Sequence, residues 1–390
     1  MNSKETTKKD TRIRIAILSL CFVTLVYLVP SVAMNGILDA FPGVSESTVM
    51  LLLSLPSLVG LIGILAVPAL QKRLTYKAMG LLAMGLMLAA GTLSLLFASS
   101  LPLLIAGAAV MGLAYGVLAT IYPLLVGLHF SGGTRAFMMG LAAGVLQLGR
   151  LVFMLLGGFL ADIQWHYIYF TFAFVGVAFL ALLFLLPGLR VAIPEKTQTK
   201  SEPLRKNREL IRLCLLGWIF TVIYYLTVTH ISLYVEGGGL GTAATTGMAN
   251  AVGLIAAVLM SLLFSKVLRV TKTATLTVAY ALMGLGFALC GLLVNLPALL
   301  VGLVLANLAM GLAAPYFMLR GGLCAAPGTE SRAMATLLVC INLGYFCSPY
   351  LSALLPLGVP ALFLYFGIAA GVVCAVLVGS QIVSRKNKNQ

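Results

Sequence analysis

Charged side chains are scarce in this chain of 390 residues, where they make up only 9%. Soluble domains carry about 25% charged residues, so the composition excludes a soluble protein. Acidic residues are the rarest, because 10 Asp and Glu stand against 25 Lys and Arg and leave a formal charge of +15. In a soluble protein that excess would suggest binding to nucleic acid. Here the positions of the basic residues explain the charge better.

The sequence also lacks the motifs of ATP hydrolysis and zinc chemistry. It contains no G-x-x-x-x-G-K-[ST] phosphate loop and no H-E-x-x-H. The seven cysteines form neither a Cys-x-x-Cys pair nor a metal pattern with histidine. We therefore expect no cofactor, no metal site and no catalytic residue, and we expect the cysteines to pack as small apolar side chains.

Long hydrophobic runs are abundant, and 61% of the residues are hydrophobic. A helix needs roughly 20 apolar residues to cross a bilayer. Twelve such runs predict an all-α membrane protein with 12 transmembrane helices, at about 13–34, 48–70, 76–98, 102–126, 135–161, 166–188, 210–235, 242–265, 273–294, 298–319, 331–354 and 359–381. The basic start and Ser31-Val32-Ala33 resemble a secretory signal peptide. Because further spans follow, we interpret the first run as a retained helix.

One long polar stretch, residues 190–209, divides the spans into six and six. Its prolines and its Lys, Thr and Ser residues indicate a solvated linker. We therefore predict an N-terminal six-helix bundle over 1–189, a cytoplasmic linker over 190–209 and a C-terminal six-helix bundle over 210–390.

The basic residues predict the orientation. Every Lys and Arg except Arg150 falls at one side of the predicted spans, whereas the opposite loops carry Asp39, Glu46, Asp162 and Glu236. Cytoplasmic loops carry the excess of Lys and Arg. Both termini are thus predicted to be cytoplasmic, and the net charge reflects topology in the membrane and not nucleic-acid binding.

The two halves resemble each other at an offset of about 193–198 residues, and the matches are weak one by one but share that offset. Tyr27-Leu28 matches Tyr225-Leu226, and Gln147-Leu148-Gly149-Arg150 aligns with Asn342-Leu343-Gly344-Tyr345. With an even number of spans in each half, this is a parallel repeat about an axis along the membrane normal.

Six plus six spans, cytoplasmic termini and a cytoplasmic linker resemble a transporter of the major facilitator superfamily over essentially the whole chain. Lys72-Arg73-Leu74-Thr75-Tyr76-Lys77 is similar to the family's D-R-x-G-R-[KR] loop, with Lys72 and Thr75 in place of Asp and Gly. The resemblance implies two bundles related by a pseudo-twofold axis, a cavity between the halves and transport by rocking.

Gly149 to Gly158 falls where drug–proton antiporters of this family carry G-x-x-x-G-P-x-x-G-G. Phe153 and Met154 replace the central Gly-Pro. This departure counts against drug–proton antiport.

Arg150 is the one basic residue deep inside a hydrophobic run. An arginine at mid-bilayer costs about 2.5–3.5 kcal/mol on insertion scales, so it is expected to face a cavity or a partner. Its planar fork suits a carboxylate or phosphate of a substrate. The alternative is structural, with the guanidinium satisfied by backbone carbonyls, tyrosine hydroxyls and water.

Other polar residues in the spans are candidates for the same binding site. Gln147 lies one turn before Arg150, and Asn342 and Tyr345 are the repeat mates. The remaining candidates are Tyr122, Tyr316, Asn35, Tyr224, Asn250 and Asn307. For each of these, a hydrogen bond between helices is an equal alternative.

Asp39, His230 and Glu236 lie near the predicted external ends of spans 1 and 7. Histidine titrates near neutral pH, and a shielded carboxylate can be raised toward it. We predict a proton-sensitive gate there, and solvated loop charges are the alternative.

These observations predict a monomeric, multi-pass transporter of the plasma (inner) membrane, and not an enzyme. It would move a small anionic or zwitterionic organic solute through the lipid bilayer, with protons as the candidate coupling ion. An efflux pump for amphipathic drugs or secreted metabolites is the alternative within transport. A membrane receptor that retains the transporter fold is a further class, but we expect no attached soluble domain to relay a signal. The sequence is compatible with import and with export, and with ion-coupled transport and with uniport.

Overall fold

The computed structural model of the protein describes residues 3–186, 207–235, 237–241, 243–326 and 328–386. The chain is mostly helical in these ranges and contains no β-strand in them. The helices of the first half are α1 (Ser3–Val23), α2 (Met34–Ala40), α3 (Glu46–Leu70), α4 (Tyr76–Leu96), α5 (Leu101–His129), α6 (Gly132–Ile163) and α7 (Ala173–Leu185). Those of the second half are α8 (Arg208–Tyr224), α9 (Leu226–Thr229), α10 (Ile231–Val235), α11 (Ala243–Thr271), α12 (Thr275–Leu292), α13 (Leu296–Leu323), α14 (Glu330–Ala353) and α15 (Val359–Lys386).

The helices are long and apolar enough to cross a bilayer. The described residues contain 11 continuous segments of this kind, and the longest, Thr245–Leu292, has 48 residues. At 1.5 Å per residue that segment is about 72 Å long, more than twice the roughly 30 Å of a hydrocarbon core. It divides at Lys272, whose φ of 47° lies in the left-handed region between α11 and α12. The prediction of an all-helical membrane fold is confirmed.

Three predicted spans are not continuous α-helices. Span 1 changes after Val23 into a 3₁₀ segment, Val26–Ala33, which contains Pro30. Proline has no N–H and its ring clashes with the carbonyl four residues earlier, so an α-helix cannot continue regularly. Span 6 likewise begins as the 3₁₀ segment Trp165–Phe172. Span 7 divides into α8, α9 and α10, with breaks at Tyr225 and His230.

The described chain forms two compact units. The first contains 1–131, 145–210 and 321–339, and the second contains 132–144, 211–320 and 340–390. Each unit thus includes one short segment from the other half of the sequence. The predicted division at 190–209 stays a prediction, because residues 187–206 lie outside the described ranges.

Close helix packing organises each unit. In the first unit α3 packs along α5, and a Cβ atom at Gly63 would come within 3.1 Å of the Gly116 Cα atom. In the second unit α12 packs along α15 in the same manner, and a Cβ atom at Gly284 would lie 3.2 Å from the Gly367 carbonyl oxygen. Small residues at such contacts let helix backbones approach each other in a membrane.

The beginning of α6 packs on α11 within the second unit. A Cβ atom at Gly140 would lie 2.5 Å from the carbonyl oxygen of Ser261, and one at Gly144 would lie 3.2 Å from Leu262. Only a hydrogen atom fits at Gly140, so these glycines serve helix packing.

Large apolar side chains cover the outside of the helices. Exposed examples include Phe159, Phe184 and Leu354, which are 72%, 76% and 77% exposed. In water such surfaces would cause association, whereas hydrocarbon accommodates them.

Candidate functional site

Arg150 lies near the middle of α6, in the part of this helix that belongs to the first unit. Its side chain is half-buried, and its Nε atom is buried without a hydrogen-bond partner among the described residues. Guanidinium carries five donors and no acceptor, so a buried Nε–H is a group that gains from an incoming acceptor. Gln147, one turn before it, is also buried.

Gly149 determines how closely this part of α6 approaches α1. A Cβ atom at Gly149 would overlap the carbonyl oxygen of Phe22, so α6 and α1 are in backbone contact directly beside Arg150. The rings of Phe22 and Phe153 follow at a centroid distance of 5.1 Å, and Phe174 lies 5.8 Å from Phe153. The arginine is thus positioned next to an apolar aromatic cluster, and low polarity strengthens electrostatic attraction.

The repeat-related glycine makes the same kind of contact in the second unit. Gly344 lies against α8, where an added Cβ atom would overlap Thr221 Oγ1 and lie 2.7 Å from the Trp218 carbonyl oxygen. Spans 5 and 1 in one unit, and spans 11 and 7 in the other, therefore meet through equivalent glycines. This agrees with the alignment of Gly149 and Gly344 in the sequence.

Each unit contains a tyrosine pair, and of the four tyrosines only Tyr345 was predicted from the sequence as a site residue. The Tyr27 and Tyr115 rings lie 4.7 Å apart in the first unit, and the Tyr225 and Tyr345 rings lie 5.2 Å apart in the second. The sequence did contain a signal, because Tyr27 and Tyr225 are repeat mates. Tyr122 is buried on α5 two turns after Tyr115, on the same helix face.

Tyr224 and Asn307 are joined directly in the second unit. Tyr224 Oη donates to Asn307 Oδ1 at 2.9 Å, and Asn307 Nδ2 donates to the Leu303 carbonyl oxygen at 2.9 Å. Both side chains are buried. The pair links α8 to α13, as the alternative of a hydrogen bond between helices requires.

The other predicted polar candidates are dispersed. Asn342 is buried on α14, Tyr316 is half-buried on α13, and Asn250 is exposed on α11. The side chain of Asn35 lies outside the described part of the chain.

The predicted gate residues do not all fall within the described structure. Asp39 is exposed at the end of α2, and Glu236 lies outside the described residues. His230 lies at the break between α9 and α10, just beyond the apolar segment Arg208–Thr229, and its Nδ1 is 2.7 Å from Thr229 Oγ1. Burial lowers the pKa of His230 below its ordinary value of 6.5, because desolvation penalises the charged imidazole.

No group of three or more His, Cys, Asp or Glu side chains in the described ranges could hold a metal ion. The arrangement around Arg150 offers donors and aromatic faces, which suit non-covalent binding of an organic molecule.

Comparison with known proteins establishes the family. The sequence profile of the Major Facilitator Superfamily matches residues 15–323, which is most of the chain. This chain belongs to the Major Facilitator Superfamily. It is accordingly a multi-pass membrane transporter and not an enzyme.

Solved structures give the same fold. The chain is similar to the human organic anion transporter MFSD10 (TETRAN), with a TM-score of 0.74, 15% identity and coverage of 97% of this chain and 100% of that one. It is similar to the proton:xylose symporter XylE bound to 6-bromo-6-deoxy-D-glucose, with a TM-score of 0.74, 14% identity and 96% coverage of both chains. It is also similar to the transporter FucP in the outward conformation, with a TM-score of 0.69, 14% identity and coverage of 93% and 97%. No curated protein sequence matches the chain. At these identities the structural likeness shows the fold alone.

Proposed function

We propose that the protein moves a small anionic or zwitterionic organic solute across the plasma membrane by alternating access, and that Arg150 binds the anionic group. The observation that supports this is the buried Nε of Arg150, which has no hydrogen-bond partner among the described residues. A carboxylate or phosphate would satisfy that donor and neutralise the charge in one contact.

Gln147 is the proposed second contact, because it is buried one turn from Arg150 on the same helix. Asn342 and Tyr345 stay candidates as the repeat mates, and Tyr122 and Tyr316 as buried or half-buried hydroxyls. Tyr224 and Asn307 become weaker candidates, because each already satisfies the other.

The proposal is tested by screening and mutation together. Purified protein is first screened by thermal shift against carboxylates, phosphates, amino acids and cationic drugs. Affinity for the stabilising anion is then measured on Arg150→Gln, Arg150→Ala and Arg150→Lys. Hydrogen bonds to charged groups contribute about 1.5–3 kcal/mol, so affinity should fall roughly 10- to 150-fold in the first two. Arg150→Lys should recover only part, because a point charge lacks the planar fork.

Arg14 provides the matched control. It too is half-buried with a buried, unpartnered Nε in the described structure, but it lies over the Phe130 ring at 5.6 Å. Arg14→Gln should change stability and leave affinity unchanged. A stable Arg150→Gln protein that binds the anion as tightly as wild type would refute the anion site.

The alternative is an efflux pump for amphipathic drugs or secreted metabolites. The two tyrosine pairs favour it, because aromatic rings attract cationic and apolar molecules. In that case cationic drugs would stabilise the protein in the screen, and Arg150→Gln would not weaken their binding.

Proton coupling through Asp39, His230 and Glu236 is proposed together with transport. Its support is the position of His230 just beyond the apolar segment Arg208–Thr229. Burial there lowers the pKa of His230, so a change in burial during transport would change how readily the side chain binds a proton. The cytoplasmic location of both termini is proposed from the distribution of Lys and Arg.

A further inference from the structure

Helices α8 and α14 run side by side in the second unit and meet at a regular spacing. The Gly344 position lies against the Trp218 carbonyl oxygen, and one turn later Ser348 Oγ donates to the Val222 carbonyl oxygen at 2.7 Å. The two partners in each pair are 126 residues apart. A constant offset means that the helices are parallel and in register.

The same offset, taken one turn earlier, brings Cys214 opposite Cys340. The structure agrees, because the side chains of Cys214 and Cys340 are near enough to interact with each other. Thr221 Oγ1, two turns after Cys214, also donates to the carbonyl oxygen of Ile341 at 3.0 Å, so the side chains of α8 contact the α14 backbone in this region. Both cysteines are free thiols, with Cys214 buried and Cys340 half-buried.

The contacts of the other thiols differ. Cys374 and Cys324 donate to backbone carbonyl oxygens at 3.6 Å and 3.5 Å, and not to another sulfur. A disulfide needs Cβ atoms about 3.5–4.5 Å apart and Cα atoms about 4.4–6.8 Å apart. Two thiols near enough to interact on tightly packed parallel helices approach that geometry without a large movement of the backbone.

We propose that Cys214 and Cys340 form a redox-active dithiol site that closes to an intramolecular disulfide on reaction with a small disulfide. Cys340, the more exposed thiol, loses its proton and attacks one sulfur of the small disulfide, which releases one small thiol and leaves a mixed disulfide. Cys214 then loses its proton and attacks the sulfur of Cys340, which releases the second small thiol. The two cysteines lose two electrons and two protons, and the small disulfide is reduced to two thiols.

The cross-link would join the helices that carry Tyr224 on one side and Asn342 and Tyr345 on the other. Cys340 lies ten residues after Glu330, about 15 Å along α14, so the reagent must enter an apolar region. A neutral aromatic disulfide such as 4,4′-dithiodipyridine meets this requirement, and its released thiopyridone is measured by absorbance.

The experiment treats the purified full-length protein with one equivalent of 4,4′-dithiodipyridine. We expect two equivalents of thiopyridone, a fall in free thiols from seven to five, and no pyridyl group on the protein. Peptide mass spectrometry should find the peptides of Cys214 and Cys340 joined with the loss of two hydrogens. Cys214→Ser should instead release one equivalent and retain a pyridyl adduct on Cys340.

Cys290→Ser is the matched control, because it removes a buried thiol of the same unit and should leave the cross-link unchanged. The proposal is overturned if wild type carries a pyridyl adduct on Cys340 while Cys214 stays a thiol. It is equally overturned if neither cysteine reacts or if the disulfide joins another pair. The wild-type peptide map decides the question even if a serine variant does not fold.

Discussion

Replacing Tyr224 by Phe tests whether the Tyr224–Asn307 pair links helices or binds substrate. Tyr224 is 5% exposed and Asn307 is 6% exposed, and one hydrogen bond of 2.9 Å joins them. The substitution removes the donor, leaves Asn307 Oδ1 buried without it, and preserves the stacking of the ring on Phe220.

The expected loss follows from these contacts. Removing one partner of a buried hydrogen bond costs about 1–3 kcal/mol in proteins. In membranes the average is smaller, about 0.6 kcal/mol, because the unfolded chain in the bilayer also finds partners. We therefore expect the free energy of unfolding to fall by about 1–2 kcal/mol. Asn307→Ala should cost more, because it also removes the hydrogen bond to Leu303.

The measurement is reversible unfolding in mixed micelles, with Tyr224→Phe, Asn307→Ala and the double variant as a cycle. The double variant should lose less than the sum of the single losses, because the two groups are coupled. Tyr365→Phe is the control, since this tyrosine is 51% exposed and its hydroxyl should contribute little. If Tyr224→Phe were as stable as wild type and bound substrate at least 10-fold more weakly, the pair would be a substrate contact and our reasoning would be wrong.

Four further predictions concern helix packing, the pH dependence of stability, the pH dependence of transport, and topology. Gly149→Leu should lower the melting temperature by forcing a side chain into the Phe22 carbonyl, whereas Gly158→Leu on the same helix should be tolerated because no atom lies within 4 Å of its added Cβ atom. The pKa of His230 is depressed in the folded state, so its contribution to stability is present above pH 6.5 and is lost as pH falls through the folded pKa. Between pH 5 and pH 8 (about the range over which histidine titrates) the melting temperature of wild type should therefore fall relative to that of His230→Gln as the pH is lowered, and a constant difference would contradict the assignment. Neutral replacement of Asp39, His230 or Glu236 should also flatten the pH dependence of transport. An unchanged pH profile in the three single variants and the triple variant would rule out the proton-sensitive gate. Cysteines introduced at Asp39, Glu46, Asp162 and Glu236 in a background without native cysteines should be labelled from outside intact cells. External labelling of a cysteine at Thr197 would contradict the predicted orientation.

The helical fold was predictable because a membrane imposes a simple rule on the sequence. Every backbone group in hydrocarbon must be hydrogen-bonded internally, so apolar runs of sufficient length become helices. The breaks within spans 1, 6 and 7 were harder to predict. Pro30 signals the first of them, but the 3₁₀ segment Trp165–Phe172 contains no proline and depends on how its aromatic side chains pack.

The sequence predicted the charged residue of the candidate site, Arg150, but it did not predict which side chains contact one another. Arg150 stands out in any hydropathy profile, because it is alone in an apolar run. The tyrosine pairs do not stand out, since tyrosine is common at membrane interfaces and in helix contacts. The register between α8 and α14 is equally hidden, because the spacing of Cys214 and Cys340 along the chain has no meaning until the two helices are seen to be parallel.

The repeat itself bears on the role of Arg150. Gly149 and Gly344 make equivalent close contacts, the first with α1 and the second with α8, so both units use the same backbone arrangement at this position. The residue that follows is Arg150 in one unit and Tyr345 in the other. If a guanidinium were required to hold the helices together there, the second unit would lack a needed group, yet its helices also make a close contact with a tyrosine at that position. The close helix contact therefore occurs in both units, whereas the arginine occurs in only one. This asymmetry favours a role of Arg150 in ligand binding over a role in helix packing.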